Sequence, residues 1–149
     1  MKSEPQEYSI DDLAREGRSS WFGVRNYQAR NFMRDRMQVG ELAFFYHSSC
    51  PEPGIAGICR IASPAHPDAS QFDPASPYFD PKATRERPIW WCVDVEFVER
   101  VPLIPLAALR AVPELADLII LKRGNRLSIT PVEEAHWRLI CERFLRRAD

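Results

Sequence analysis

The sequence predicts an α+β fold with a mostly antiparallel sheet. Short helical segments come first, apolar strand-like runs fill the middle, and helices return at the end. From Trp91 to Phe97, Trp91, Val93, Val95 and Phe97 alternate with Cys92, Asp94 and Glu96. That period of two belongs to a strand with one buried face. The chain has 149 residues, 45% hydrophobic and 28% charged, which suits a single packed domain over residues 1–149 rather than a disordered chain.

Ser9-Ile-Asp-Asp12 opens the first helix. The serine can accept from a free backbone N–H, and Asp12 suits the positive end of the helix dipole. Gly17 stops it. A second helix is expected over Tyr27 to Met37 with Asn26 as N-cap, placing Ala29, Phe32, Met33 and Met37 on one face. Arg30, Arg34 and Arg36 take the other faces, and Gly40 ends the segment.

The aromatic-rich run Glu41 to His47 reads as a strand. After the turn Cys50-Pro-Glu-Pro-Gly54, the run Gly54 to Ala62 reads as a second one. Ser63 to Pro88 is long and irregular, and eight of the 13 prolines fall between Pro51 and Pro88. Such a loop is usually functional or disordered. Phe72, Tyr78 and Phe79 argue that this one packs on the body. Leu106 to Arg110 reads as a short helix, with another turn from Pro113. Thr130-Pro-Val-Glu133 has the form of a capping box with proline at the first helical position. Trp137, Ile140, Cys141 and Phe144 then form an apolar stripe, with His136 at the surface or half-buried.

Twenty Lys and Arg face 21 Asp and Glu, a net charge of −1. This disfavours gripping nucleic acid by bulk electrostatics, which needs clustered positive charge. It leaves room for a protein that reads one base in a pocket. The cations are 17 Arg and 3 Lys (Lys2, Lys82, Lys122). That bias fits genomic base composition, and it also fits guanidinium contacts to phosphates or bases. Cys50, Cys59, Cys92 and Cys141 form no C-x-x-C pair and read as reduced thiols in a cytosol. No run of 18 apolar residues is present, and the residues after Met1 lack the apolar core of a signal peptide. A cytoplasmic protein with no membrane partner is expected.

G-x-S-x-G, Walker A, G-x-G-x-x-G and H-E-x-x-H motifs are absent. His47-Ser-Ser-Cys50 pairs a base with nucleophiles, but neighbours on a strand point to opposite faces. His47, Cys50, Cys59 and His66 have no metal-ligand spacing. No catalytic residue, cofactor or metal is expected. Trp21-Phe-Gly-Val-Arg-Asn-Tyr27 is more informative. Its rings offer a platform for a flat heterocycle, worth roughly 1–3 kcal/mol per stacked base. An Asn amide matches a base edge. Equally, Trp21 and Tyr27 suit a core, and Asn26 suits an N-cap. From Arg15 to Arg36, six arginines face only Glu16 and Asp35, which makes a modest basic patch or a solvated helix face.

Lys2-Ser-Glu-Pro5, Tyr8-Ser-Ile-Asp-Asp-Leu13, Gly23-Val-Arg-Asn-Tyr-Gln-Ala-Arg-Asn-Phe-Met33, Phe45-Tyr-His-Ser48, Gly54-Ile-Ala-Gly57, Asp73 with Tyr78-Phe-Asp-Pro81, and Arg126-Leu-Ser-Ile129 together resemble the EVE domain family. The resemblance runs along essentially the whole chain. It implies a PUA-like pseudo-barrel of mostly antiparallel strands flanked by several helices, similar to YTH and ASCH domains. It also implies a module that binds DNA or RNA and reads a modified base: methylated or hydroxymethylated cytosine, or methylated adenine. Bacterial members are associated with restriction of modified DNA or with RNA modification. Family chains usually carry a few apolar residues before the Lys-Ser-Glu-Pro motif, whereas Met1 stands directly before it here. The first strand is therefore expected either to be shortened or to begin upstream.

Carried over by motif, the implied base pocket comprises Lys2, Ser3, Trp21, Arg25, Asn26, Tyr27, Tyr46, His47, Ser48, Asp80, Pro81, Arg126 and Ser128. Arg25, Arg30 and Arg126 would hold flanking phosphates. An extruded base would sit between aromatic faces, its edge met by Asn26 and by serine or backbone groups. A buried methyl adds about 0.8 kcal/mol. A pocket group left unpaired by the wrong base costs ~1–3 kcal/mol, so edge contacts discriminate more. Two other readings stand beside this one. The first is a nucleotide-directed enzyme using Asp80 or His47 as acid or base. The second is a small-molecule or protein-interaction module.

Overall fold

In the computed structural model, which describes residues 1–147, the long central strands β3 (Leu42–His47), β4 (Gly54–Ile61) and β7 (Asp94–Pro105) carry the architecture. Short strands β1 (Lys2–Ser3) and β2 (Arg18–Ser20) form the edges, in the order β1-β3-β4-β7-β2. β1 runs parallel to β3, and the other pairings are antiparallel. The sheet curls into a half-barrel. Strands β5 (His66–Pro67) and β6 (Trp91–Cys92) pair separately.

The curl has a local cause. Register shifts interrupt the ladders at Phe45/Tyr46 in β3, and at Ile55/Gly57 and Ile58/Cys59 where β4 meets β7. Bulges bend a strand and raise its twist. They also reset its phase. Ile55 and Ile58 both join one core, although an odd step of three positions parts them. Ala56, Cys59 and Ile61 join the other.

Each face of the sheet is apolar. On one face, α1 (Ile10–Glu16) and α2 (Tyr27–Asp35) bury Ile10, Leu13, Ala29 and Met33 against Phe45, Val93 and Val95. On the other, α3 (Leu106–Arg110), short 3₁₀ turns and α4 (Glu134–Phe144) bury Leu109, Leu115, Ile140 and Cys141 against Phe44, Tyr46 and Ile58. The stripe expected on α4 is present, with Trp137 and Phe144 packed at its margins. His136 is buried rather than superficial.

Helix starts follow their caps where the cap is a side chain. Ser9 and Asp12 form a reciprocal capping box, and the Gly17 N–H closes α1 on the Leu13 carbonyl. Asn26 Oδ1 accepts from the Ala29 N–H at 3.0 Å. The capping box expected at Thr130–Glu133 does not form. Glu133 is extended, and the helix begins at Glu134. Val132 is half-buried against the second core. The strand expected over Trp91–Phe97 is divided at Val93, because Trp91–Cys92 pairs with β5 while Asp94 onward pairs with β4 and β2. The long segment before it is anchored by buried Asp68 and Gln71 and by half-buried Phe72 and Tyr78, whereas Phe79, also expected to pack, is exposed. No helix of the described residues is long and apolar enough to cross a membrane.

Gly54 shows how close β4 and β7 lie. A methyl group there would run into the Ile104 carbonyl oxygen and the Pro105 Cα, both backbone atoms that cannot rotate away. Gly54→Ala should therefore lower stability by ~1–3 kcal/mol, read from the urea midpoint at unchanged m-value.

Candidate functional site

The curl of the sheet brings its two edge strands to the same place without pairing them. Ser3 of β1 and Ser19 and Ser20 of β2 line one cleft of about 260 Å³, together with Glu7, Tyr8, Trp21, Phe22 and Tyr78. That is slightly below the roughly 300–1,000 Å³ of drug-sized pockets, and it suits one flat ring. Trp21 is 8% exposed, with its ring edge-on to Phe45 at 5.4 Å, so the indole is both core and cleft wall. Phe22 and Tyr78 meet edge-on at 6.0 Å on the other side.

Polar groups in the cleft are mostly pinned. Ser3 Oγ donates to the Tyr8 carbonyl at 2.7 Å, and Ser20 Oγ donates to Asp94 Oδ1 at 2.7 Å. The Tyr8 hydroxyl is held less tightly: it is buried near Ser19 and Glu16 without a hydrogen bond of ordinary geometry among the described residues. Burial pushes its pKa up, opposed by Ser19 and reinforced by Glu16.

A buried ion pair fixes the aromatic wall. Asp68 is 1% exposed. Its Oδ2 accepts from the Gly23 N–H at 2.8 Å and from Arg25 at 3.1 Å, and its Oδ1 accepts from the Ser70 N–H at 2.9 Å. Burial alone would raise this carboxyl, but hydrogen bonds from Ser70, Gly23 and Arg25 outweigh it and hold the group below the usual range. Arg25 also donates twice to the Tyr78 carbonyl, at 3.1 and 2.7 Å. The Tyr78 ring lies against Gly23, whose φ is +84°; a Cβ there would sit 2.9 Å from Cζ of that ring. Buried Gln71 ties the loop down further, bonding the Trp90 N–H and carbonyl, each at 2.8 Å.

Of the residues the sequence assigned to a pocket, the cleft contains Ser3 and Trp21. Arg25 is a strut: its hydrogen bonds reach Tyr78, Val24, Asp68 and Ser70, leaving no N–H free for a phosphate. Arg30 is partly engaged, donating to the Ile89 carbonyl and to Asn31 and covering the Tyr27 ring at 4.8 Å, with N–H groups to spare. Among the three arginines expected to contact phosphate, Arg126 alone is exposed without an ion pair among the described residues. Asn26 spends its acceptor on the helix cap. Tyr27 is 58% exposed and stacks on Trp90 at 4.8 Å, outside the cleft.

Tyr46 lies on the opposite face of the sheet, in an apolar cavity of about 290 Å³ with Trp137 and Ile140. Strand alternation sends Phe45 and His47 one way and Tyr46 the other. His47 Nε2 accepts the Ile10 N–H at 3.1 Å, so this imidazole caps α1. Asp80 accepts from the Trp90 indole N–H at 2.8 Å and from the Lys82 N–H, which hold it below the usual carboxylate range. Pro81 is exposed beside it. Lys2 reaches the Asn125 carbonyl, and its backbone N–H donates to Ser128. The Ser48 N–H donates to the Ser3 carbonyl. These groups brace β1 from outside the cleft. Tyr8, Ser19, Ser20, Phe22 and Tyr78 were missed. Only the aromatic pair followed by a glycine, Trp21-Phe22-Gly23, marked the place in the sequence.

The EVE domain family model matches residues 1–143. Human thymocyte nuclear protein 1 is 42% identical over 90% of this chain and 68% of its own length. The chain spans about two thirds of the length of the vertebrate relatives it matches. A solved protein from Pseudomonas putida is 51% identical, with a TM-score of 0.91 over 94% of each chain. The structure of human THYN1 in complex with DNA containing 5-methylcytosine is 40% identical, with a TM-score of 0.88 over 94% of this chain and 92% of that one.

Replacing Asp68 with Asn should cost ~1–3 kcal/mol in chemical denaturation, because Arg25 loses its counter-charge while still largely covered. A second outcome concerns pH. Burial lowers the His47 pKa, with Asp11 opposing. A depressed pKa means that His47 contributes stability above the unfolded value of ~6.5, and loses it as pH falls through the folded value. The share that belongs to His47 should appear as a decline in the urea midpoint below about pH 6.5. His47→Gln, which can accept the same bond without titrating, should flatten that decline.

Proposed function

The chain belongs to the EVE domain family, and we propose that it binds nucleic acid carrying a modified base, which leaves its stack and enters the cleft between the two sheet edges. The observation that carries this reading is the cleft itself. One indole wall is held rigid by the core, a second aromatic wall is locked through Arg25 and Asp68, and the Tyr8 phenol lines the space with them. An incoming base edge can bond that phenol. DNA containing 5-methylcytosine is the first ligand to try, because the human relative's structure holds such DNA.

The reading is of a binder rather than an enzyme. His47 and Asp80, the acid–base candidates in the sequence, are committed to a helix cap and to the Trp90 indole. With Arg25 also committed and Arg30 partly engaged, few phosphates are neutralised, and affinity should fall only shallowly with salt.

Trp21→Ala is a poor test, because removing a buried indole costs ~3–5 kcal/mol of stability. Trp21→Phe keeps an aromatic ring in the core while shrinking the stacking surface. It should weaken binding of 5-methylcytosine DNA by about tenfold, the scale of one stacking contact. Ser19→Phe should fill the cleft and abolish binding with the thermal melt intact. Wild-type affinity in both variants, by fluorescence anisotropy, would place the ligand elsewhere.

A further inference from the structure

Phe22 is 56% exposed, although the indole next to it in sequence is almost fully covered. A single exposed apolar side chain is ordinary on a protein surface, and what sets Phe22 apart is its place in the lining of the cleft. It is also rigid. The Trp21 N–H is tied to the Val93 carbonyl at 2.8 Å and the Gly23 N–H to Asp68 at 2.8 Å, so the backbone is anchored on both sides of Phe22. Its ring is braced edge-on by Tyr78. Both aromatics line the cleft, Trp21 almost fully covered and Phe22 more than half exposed. A base held against Trp21 therefore has Phe22 beside it on the more exposed side of the cleft.

We infer that Phe22 is a wedge: as the modified base leaves a duplex for the cleft, the phenyl ring occupies the gap left in the stack, and the partner is double-stranded. This rests on the reading of the cleft as a base pocket and goes beyond it. Extruding a base from a duplex forfeits its stacking, and an apolar side chain inserted between the remaining base pairs recovers part of that loss. A single strand leaves no such gap. A near-neutral chain with Arg25 consumed and Arg30 partly engaged needs short-range contacts of this kind to hold a duplex.

The test compares wild type, Phe22→Ala and Phe22→Trp on the same 5-methylcytosine oligonucleotide, single-stranded and duplex, with 2-aminopurine beside the modified base. Phe22→Ala should weaken duplex binding by about tenfold and single-strand binding by less than about twofold, the difference being one stacking contact. Phe22→Trp should restore duplex affinity. The 2-aminopurine signal should rise with wild type, and with Phe22→Ala only at about tenfold higher protein concentration. Because Phe22 is exposed, all three proteins should melt alike. Equal losses on both strand forms would make Phe22 an ordinary part of the cleft wall, and no loss on either would leave it without a role. Both results overturn the wedge. So does a wild type that binds the single strand and refuses the duplex, whereas failure to bind either modified form refutes the cleft reading beneath it.

Discussion

One buried carboxylate joins the parts of the chain that make the cleft. Asp68 accepts from Gly23, Arg25 and Ser70, and through Arg25 it reaches the Tyr78 carbonyl. A buried ion is costly unless its lone pairs are filled. That cost is what enforces a single arrangement: only when residues 21–25 lie against residues 68–78 are the donors in place. The long proline-rich segment is therefore structural at its root, and its aromatics arrive at the cleft already ordered. Ordering achieved during folding need not be repeated on binding.

The second constraint is the unfinished barrel. A sheet whose edges paired would leave no opening, and a flat one would keep its edges far apart. Bulges in β3 and β4 give enough curl to bring β1 and β2 across from each other, and their shortness leaves a gap. Strand edges ordinarily risk pairing with another chain. Here two very short ones are turned toward a small hydroxyl-lined cleft. The opposite face is closed by α4 and the 3₁₀ turns, which explains why Tyr46, adjacent to His47 in sequence, belongs to a different cavity.

Much of the scaffold was legible. The period of two in the strands, the caps at Ser9 and Asn26, the stripe on α4 and the packing of the long loop follow from local rules that the structure obeys. The site was legible only in part. Arg25 and Arg30 look in sequence like free cations, because nothing marks the Tyr78 and Ile89 carbonyls that engage them. Ser19 and Ser20 have no special pattern; they matter because the curl places β2 opposite β1. The capping box at Thr130 is absent because Glu133 stays extended and the helix begins one residue later.

The cleft's own groups indicate what it can discriminate. Burial keeps the Tyr8 phenol protonated, so to a ligand edge in the cleft it offers one O–H donor and its lone pairs. A methyl group pressed against Trp21 adds about 0.8 kcal/mol, roughly fourfold in affinity. On the proposed reading, the ring and its edge therefore select which base is held, while the modification contributes a smaller factor on top. Strong preference for the modified base must then come from what precedes capture, the ease with which that base leaves its stack, rather than from the cleft wall alone.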